Sequence, residues 1–169
     1  MKSKQRILWI GGVAFAMAIL AYFLYTQLSY TYRAGNILDK TGVKGGLVVH
    51  TGFEDEQLTA ALRINDRYIV HGLSGDKNLV GKARKNILEK GLYGKVAVDL
   101  WDGSDLPYVD NSVNLLVVQD RAGKKPSAEE MMRVLVPNAV AYVQDEGKWN
   151  KRVRPRQQHA DIQSDQHHA

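Results

Sequence analysis

From residue 46 onward, short apolar runs alternate with segments in which apolar residues recur every three or four positions. The runs predict strands, and the periodic segments predict amphipathic helices. The predicted strands are Leu47–His50, Tyr68–Leu73, Lys95–Trp101, Val113–Val118 and Ala139–Val143. The predicted helices are Glu56–Ile64, Asp76–Leu92 and a segment from Ser127, an N-cap with Glu130 as capping-box partner, to Leu135. Because parallel strands need crossover connections, this alternation predicts an α/β fold with a mostly parallel five-stranded sheet and helices on both faces.

A different pattern precedes the predicted sheet. The run Ile7–Tyr25 contains no charged residue, and as a helix it would extend about 28 Å, close to the roughly 30 Å hydrocarbon thickness of a bilayer. Aromatic residues lie near both ends of the run, where amphipathic rings settle at membrane interfaces. The run therefore predicts one N-terminal transmembrane helix. Its representative anchor residues are Ile7, Trp9, Phe15, Leu20, Phe23 and Tyr25.

Charge flanking this run predicts its orientation. Lys2, Lys4 and Arg6 precede it, and the first cation after it is Arg33. The positive-inside tendency places the N-terminus in the cytoplasm and the domain on the other side of a single-pass membrane protein. A cleaved signal peptide remains the alternative, although the small-x-small triplets, such as that of residues 14–16, lie inside the apolar run rather than after it.

Composition divides the chain into four segments. Residues 1–32 form the predicted anchor, 33–45 a polar, glycine-bearing linker, 46–147 the α/β domain, and 148–169 a basic, histidine-containing tail. The net charge of +5 is largely a property of that tail, and such a basic run suits nucleic acid, an anionic membrane surface or an acidic partner. A solvated tail is the simpler explanation. No nucleic-acid partner is expected, because the aromatic residues are spaced as core positions rather than as a stacking platform. The absence of cysteine excludes disulfides and thiol nucleophiles.

Acidic residues and histidines are the candidate metal ligands. The candidate groups are the triplet Glu54, Asp55 and Glu56, the strand residues His50 and His71, and the tail residues His159, His167 and His168. Carboxylates at a helix start are more simply explained by the helix dipole, and two strand histidines lack a third ligand with an obvious spacing. Neither a metal site nor a catalytic residue is therefore predicted.

Three stretches resemble class I S-adenosylmethionine-dependent methyltransferases: GLVVHTGFEDEQLTAAL, VAVDLWDGSDLPYVDNSVNLLVV and EEMMRVLVPNAVAYV. They correspond to the first strand with its glycine-rich loop, the third and fourth strands, and the last helix-to-strand unit. The likeness covers roughly residues 46–144. It is strongest to a bacterial subgroup of exported proteins in which such a domain precedes a quinone-enzyme-type β-propeller. The resemblance implies a Rossmann-like sheet and a location at the bacterial cytoplasmic membrane.

The first loop departs from the family pattern. Gly52 keeps the first glycine of the motif, but Glu54 and Glu56 stand at the second and third. Glycine lets the backbone approach the cofactor, whereas glutamates add bulk and negative charge near the position of the cofactor's carboxylate.

The second strand also departs from the pattern. Ser74 stands where the family usually has an acid for the ribose, and Asp76 lies two residues further on. Asp102 keeps the acid that contacts adenine in the family. Pro137-Asn138-Ala139 replaces Pro-Gly-Gly. These residues describe a vestigial cofactor site, so no cofactor is expected, and S-adenosylmethionine is the one to test.

The leading hypothesis is a non-catalytic, membrane-anchored accessory or scaffold subunit of a membrane or envelope protein complex. The lipid bilayer and protein partners are its expected contacts, with docking through the basic tail or through an edge left uncovered after the fifth strand. Two alternatives remain open: an active methyltransferase with a remodelled loop, and a partner of a separate quinone-type dehydrogenase.

Overall fold

The computed structural model describes residues 2–53, 55–119 and 125–156, with side chains described from Gly12 onward except for Ala14. Four helices and six strands follow one another along the chain. In order they are α1 (Lys2–Thr41), β1 (Gly46–Thr51), α2 (Glu56–Ala61), β2 (Tyr68–Ser74), α3 (Lys77–Glu89), β3 (Val96–Leu100), β4 (Val113–Gln119), α4 (Ala128–Val134), β5 (Leu135–Asp145) and β6 (Lys148–Val153).

The strands form one sheet in the order β3-β2-β1-β4-β5-β6. The five predicted strands are present and mutually parallel, as expected, while β6 is an additional antiparallel partner of β5. β5 and β6 are joined by the two-residue turn Glu146-Gly147, where both residues have positive φ (50° and 79°). The edge predicted to stay uncovered beside the fifth strand is therefore paired.

β6 occupies the start of the segment expected to be an irregular tail. Its sequence has no apolar alternation because most of its side chains are exposed at the sheet edge. Trp149 is the exception, and its ring stacks on Tyr142 of β5 with centroids 4.8 Å apart and planes 8° from parallel. This stacking and the backbone hydrogen bonds to β5 hold β6 in the sheet. The sequence of β6 lacks the hydrophobic alternation from which a strand is predicted.

Two hydrophobic cores lie on opposite faces of the sheet. The front face, which carries Val48 and Val70, is covered by α1, α2 and α3. The back face, which carries Val49 and Leu116, is covered by α4 and the segment between β3 and β4. Burial on both faces explains why the central strands are apolar at successive positions.

α1 extends further than predicted and enters the front core. Residues 33–41, expected to be linker, are helical, and Ala34, Ile37 and Leu38 are at most 6% exposed. The ammonium of Lys151 donates to the carbonyl oxygens of Lys40 (3.1 Å) and Thr41 (3.2 Å), which caps the end of the helix. The buried stripe is narrow and polar residues surround it, which is why composition suggested a linker.

The described part of α1 beyond this buried stripe is solvent-facing. Among the predicted anchor residues, Phe15, Leu20, Phe23 and Tyr25 are each more than half exposed, while the side chains of Ile7 and Trp9 lie outside the described set. Within the described residues, no helix combines the length and apolarity that a membrane span requires.

Candidate functional site

The carboxyl ends of β1 to β4 meet at one edge of the sheet, where ligands bind in open α/β folds. We call the described residues that follow these ends, namely 52, 53, 55, 75, 76 and 101–105, the carboxyl-end loops. The segment after β4, residues 120–124, lies outside the described residues. The predicted cofactor-contacting positions belong to these loops or to the adjoining strand and helix ends.

Gly52 makes the turn out of β1. Its φ of 69° is in the left-handed region, and its amide donates to the Leu73 carbonyl at 3.0 Å. A Cβ at this position would lie 2.1 Å from the backbone oxygen of Gln119. Glycine is therefore required here by the packing of β1 against its neighbours, whether or not a ligand binds.

The acidic residues after Gly52 are built into the start of α2. Asp55 is its N-cap, and Oδ1 accepts from the Gln57 amide at 2.7 Å. Glu56, only 4% exposed, accepts from Nδ2 of Asn86 on α3 at 2.8 Å. Glu54 lies outside the described residues. The helix-start explanation of the acidic triplet therefore holds for Asp55, and Glu56 joins α2 to α3.

α1 reaches the same loop. The interaction with the Asp55 carboxylate, together with partial burial, raises the pKa of Tyr30. The guanidinium of Arg33, one turn further along the helix, lies 5.7 Å from the centroid of the Tyr30 ring. A helix predicted to be remote from the domain thus contributes side chains to the edge of the candidate site.

Ser74 and Asp76 lie together at the end of β2. Ser74 is buried, and its Oγ accepts from the Asp76 amide at 3.3 Å. Oδ1 of Asp76 caps α3 by accepting from the amides of Asn78 (2.8 Å) and Leu79 (3.2 Å). The carboxylate that was expected as a substitute ribose ligand therefore has a structural partner.

Asp102 follows β3 and begins a turn. Its Oδ1 accepts from the Ser104 amide (2.9 Å) and hydroxyl (2.5 Å). The neighbouring Trp101 is buried and donates from Nε1 to the Asp105 carbonyl at 3.1 Å. This arrangement matches the turn chemistry expected from the sequence.

A buried polar network lies beneath the first loop on the front face. Nε2 of His50 lies 2.9 Å from Oε1 of Gln119, and Nδ1 lies 2.9 Å from the Thr59 hydroxyl. Burial lowers the pKa of His50 to about 4, so the ring is neutral at pH 7. Since the amide oxygen only accepts, Nε2 carries the proton and Nδ1 accepts from Thr59.

His71 belongs to the opposite face. His50 pairs in register with Gly72, and His71 with Val49, so the two histidine side chains point to different sides of the sheet. The two rings therefore do not share a metal site, and the described residues contain no cluster suited to a metal ion. The tail histidines 159, 167 and 168 lie outside those residues.

His71 instead belongs to a second polar network. Its Nε2 donates to Oδ2 of Asp99 at 2.9 Å, and its Nδ1 accepts from the Tyr108 hydroxyl at 2.7 Å. Burial raises the pKa of Tyr108, and the negative charge of Asp99 adds to that effect. Neither network was predicted, because each joins residues from separate strands and loops.

The arrangement of this sheet resembles solved structures of methyltransferases. An S-adenosyl-L-methionine-dependent methyltransferase from Methanococcus maripaludis superposes with a TM-score of 0.59 at 23% identity, covering 68% of this chain and 54% of the other. A sarcosine dimethylglycine methyltransferase from Galdieria sulphuraria gives 0.59 at 20% identity, covering 69% and 46%. The [4+2]-cyclase SpnF gives 0.57 at 21% identity, covering 67% and 44%. The domain has the class I methyltransferase fold.

The chain spans about half the length of those structures. No protein-family model and no curated protein matches the sequence. One of the similar proteins is a cyclase, so the fold alone does not assign methyl transfer.

At the described positions that the family resemblance assigns to S-adenosylmethionine, most polar groups have partners within the protein. Asp55 and Asp76 cap helices, and Glu56 is buried against Asn86. At the ribose position the buried hydroxyl of Ser74 replaces a carboxylate. Holding the cofactor would require new partners for these groups, and leaving a buried carboxylate without its donor is costly. We therefore derive no reaction step through this cofactor.

Proposed function

We propose that this chain is a membrane-anchored, non-catalytic subunit whose methyltransferase-like domain serves as an interaction module in a membrane protein complex. The observation that supports a non-catalytic role is that the carboxylates of Asp55 and Glu56 accept hydrogen bonds from groups of the protein itself. Both carboxylates belong to the loop near which the resemblance places the cofactor's own carboxylate, and each has a donor within the protein. Like charges at this loop would oppose the cofactor in addition to its missing contacts.

The exposed apolar surface of α1 supports the anchor. The large side chains more than half exposed along it are Val13, Phe15, Met17, Ile19, Leu20, Tyr22, Phe23, Leu24, Tyr25, Leu28 and Tyr32. Successive helical positions are rotated by about 100°, so the four consecutive residues Tyr22–Tyr25 point to every side of the helix. A protein partner covers one stripe of a helix, whereas a bilayer covers all sides. The bilayer is therefore the medium that suits this segment.

The charge pattern supports a location outside the cytoplasm, at the bacterial cytoplasmic membrane. Lys2, Lys4 and Arg6 precede the apolar run, and no further cation occurs before Arg33. S-adenosylmethionine is a cytosolic metabolite, so a domain on the outer side has no supply of it. Topology and loop chemistry therefore favour the same non-catalytic role.

Calorimetric titration tests the non-catalytic part. The full chain in mild detergent micelles is titrated with S-adenosylmethionine, and a methyltransferase of known affinity calibrates the measurement in the same detergent. We expect no binding heat at ligand concentrations up to about 1 mM, which bounds the binding free energy at roughly −4 kcal/mol. Micromolar binding would contradict the proposal and favour an active methyltransferase with a remodelled loop.

Fractionation and a reporter test the anchor. The full chain should remain in the membrane pellet after an alkaline wash, and a C-terminal reporter that is active only outside the cytoplasm should be active. The double variant Phe15→Arg, Met17→Arg should reach the soluble fraction, because two central charges cost roughly 5–7 kcal/mol on insertion scales. Recovery of the unaltered chain in the soluble fraction would remove the anchor from the proposal.

Purification tests the role as a subunit. Mild-detergent extraction of the native membrane should yield the chain together with a stoichiometric protein partner. A quinone-type β-propeller enzyme is the class of partner that the family resemblance implies. A monomer that purifies alone under several detergents would count against an accessory role.

A further inference from the structure

The direction of α1 relative to the sheet is set by contacts at both ends of β1. Thr41, the last residue of α1, lies a short turn before Gly46, at the amino end of β1. Tyr30, three turns earlier, packs against the front core, and α1 contacts α2, which begins shortly after the carboxyl end of β1. The helix rises about 16 Å between Tyr30 and Thr41, and six residues of strand rise about 17 Å. α1 therefore runs antiparallel to β1, and the residues before Tyr30 project beyond the carboxyl-end loops.

α1 is attached to the domain firmly enough to transmit this direction. Its buried side chains Ala34, Ile37 and Leu38 lie in the front core, and Lys151 of β6 holds the end of the helix. No proline interrupts α1. The exposed apolar segment is thus a rigid extension of the domain rather than a flexible tether.

We propose that the carboxyl-end loops face the lipid headgroup layer of the bilayer that receives α1, which makes this edge of the sheet a membrane-apposed surface. The inference rests on the anchor proposed above. Tyr25 ends the apolar run, and Tyr30 lies about 7.5 Å further along the helix. Each headgroup layer is roughly 5–8 Å thick, so Tyr30 and its partner Asp55 lie at the outer boundary of that layer.

The aromatic residues of this part of α1 agree with such a position. Tyr22 and Tyr25 precede the domain, Tyr30 contacts it, and Tyr32 is exposed beside it. Tyrosine is enriched at membrane interfaces because its ring is apolar and its hydroxyl is polar. The consequence for function is that a molecule reaching the carboxyl-end loops does so along the membrane surface, and a partner docking there is itself a membrane protein.

The lack of cysteine makes a direct test possible, because single cysteines can be introduced without removing native ones. Lys77→Cys places a label directly after β2 and its loop, at the carboxyl end of the sheet. Lys44→Cys, the matched control, places the same label before β1 at the amino end. Both lysines are exposed. Each full-length variant carries a fluorophore and is reconstituted in phosphatidylcholine vesicles that contain a headgroup spin-labelled lipid.

We expect spin-label quenching at position 77 to exceed that at position 44 by at least twofold. Inserting Gly-Gly-Ser-Gly after Leu28 should abolish the difference, because a flexible linker releases the domain from the direction of α1. Equal quenching at both positions, or none at either, in chains that co-sediment with the vesicles would overturn the inference and leave the anchor standing. Failure to co-sediment would overturn the anchor together with it.

Discussion

Gly52 lies so close to Gln119 that a Cβ on Gly52 would be 2.1 Å from the Gln119 carbonyl oxygen. This contact joins the carboxyl end of β1 to that of β4. It explains why the first glycine of the family motif persists in a loop whose other glycine positions carry glutamate. The constraint belongs to the backbone of the sheet, so it remains when a cofactor site is lost.

Gly52→Ala should destabilise the domain by about 3 kcal/mol, because the methyl group meets backbone that cannot move independently and the residue must keep a left-handed φ. Gly91→Ala is the matched control, since Gly91 has nearly the same φ (66°) but a methyl group there would meet nothing within 4 Å. That variant should lose only about 1 kcal/mol. Urea unfolding in detergent measures the stability of both variants. Equal losses of stability would contradict a close contact between Gly52 and Gln119.

His50 should make the free energy of unfolding depend on pH at values above those at which the carboxylates titrate. Its folded pKa of about 4 lies below the ordinary 6.5, so acid favours the unfolded chain. The stabilisation is complete above pH 6.5 and is lost as the pH falls through 4. The free energy of unfolding falls by about 3 kcal/mol in total over this pH range.

The variant His50→Gln isolates this effect. It should flatten the dependence of the unfolding free energy on pH between 6.5 and 4.5. Interactions with basic side chains lower the pKa of Asp66, Glu130 and Asp145, so the stability that these carboxyls contribute is lost as the pH falls below their ordinary pKa values. An unchanged slope in the variant would show that His50 is not a buried neutral histidine.

Tyr108→Phe should loosen the segment between β3 and β4. The substitution removes the donor to His71 Nδ1 and leaves that nitrogen without its 2.7 Å partner, at a cost of about 1 kcal/mol. Tyr93→Phe is the control, because Tyr93 is 80% exposed and its hydroxyl is in solvent. Amide hydrogen exchange across residues 101–110 measures the result. Identical exchange in both variants would show that the network does not stabilise this segment.

Arg133→Lys should release the same segment from α4. The guanidinium donates to the carbonyls of Leu106 (3.2 Å) and Tyr108 (2.9 Å) and to the carboxylate of Glu130. Lysine cannot reproduce this planar fork, so the Leu106 amide, which donates to Glu130, should exchange faster. Arg152→Lys, at an exposed 3.7 Å ion pair with Asp145, should leave that exchange unchanged. Equal protection of Leu106 in both variants would contradict this role.

The contacts of Glu130 in the structure differ from those that its local sequence predicts. Ser127 is the N-cap of α4 as predicted, and its Oγ accepts from the Glu130 amide at 3.0 Å. The Glu130 side chain does not complete the predicted capping box. It binds Arg133 and the Leu106 amide instead, because the segment after β3 brings a donor that sequence spacing does not reveal.

Asn138 shows the reverse case, in which a departure from the family motif changes little. It stands where the family has glycine and adopts a φ of 66°, a conformation that asparagine tolerates better than most residues. The irregular pairing of β4 with β5 is accommodated at this point. The replacement of Pro-Gly-Gly by Pro137-Asn138-Ala139 is therefore compatible with the fold.

The sequence by itself determined the order of the five parallel strands and of the helices between them, because burial on both faces makes each central strand apolar at successive positions. It also determined the uncharged run before the domain. Only the tertiary structure decided how the polar residues are used. His50 meets Gln119 across 69 positions, and Lys151 meets Thr41 across 110. These hydrogen bonds depend on how the fold brings two distant segments together, and the local pattern of hydrophobic and polar residues carries no information about that.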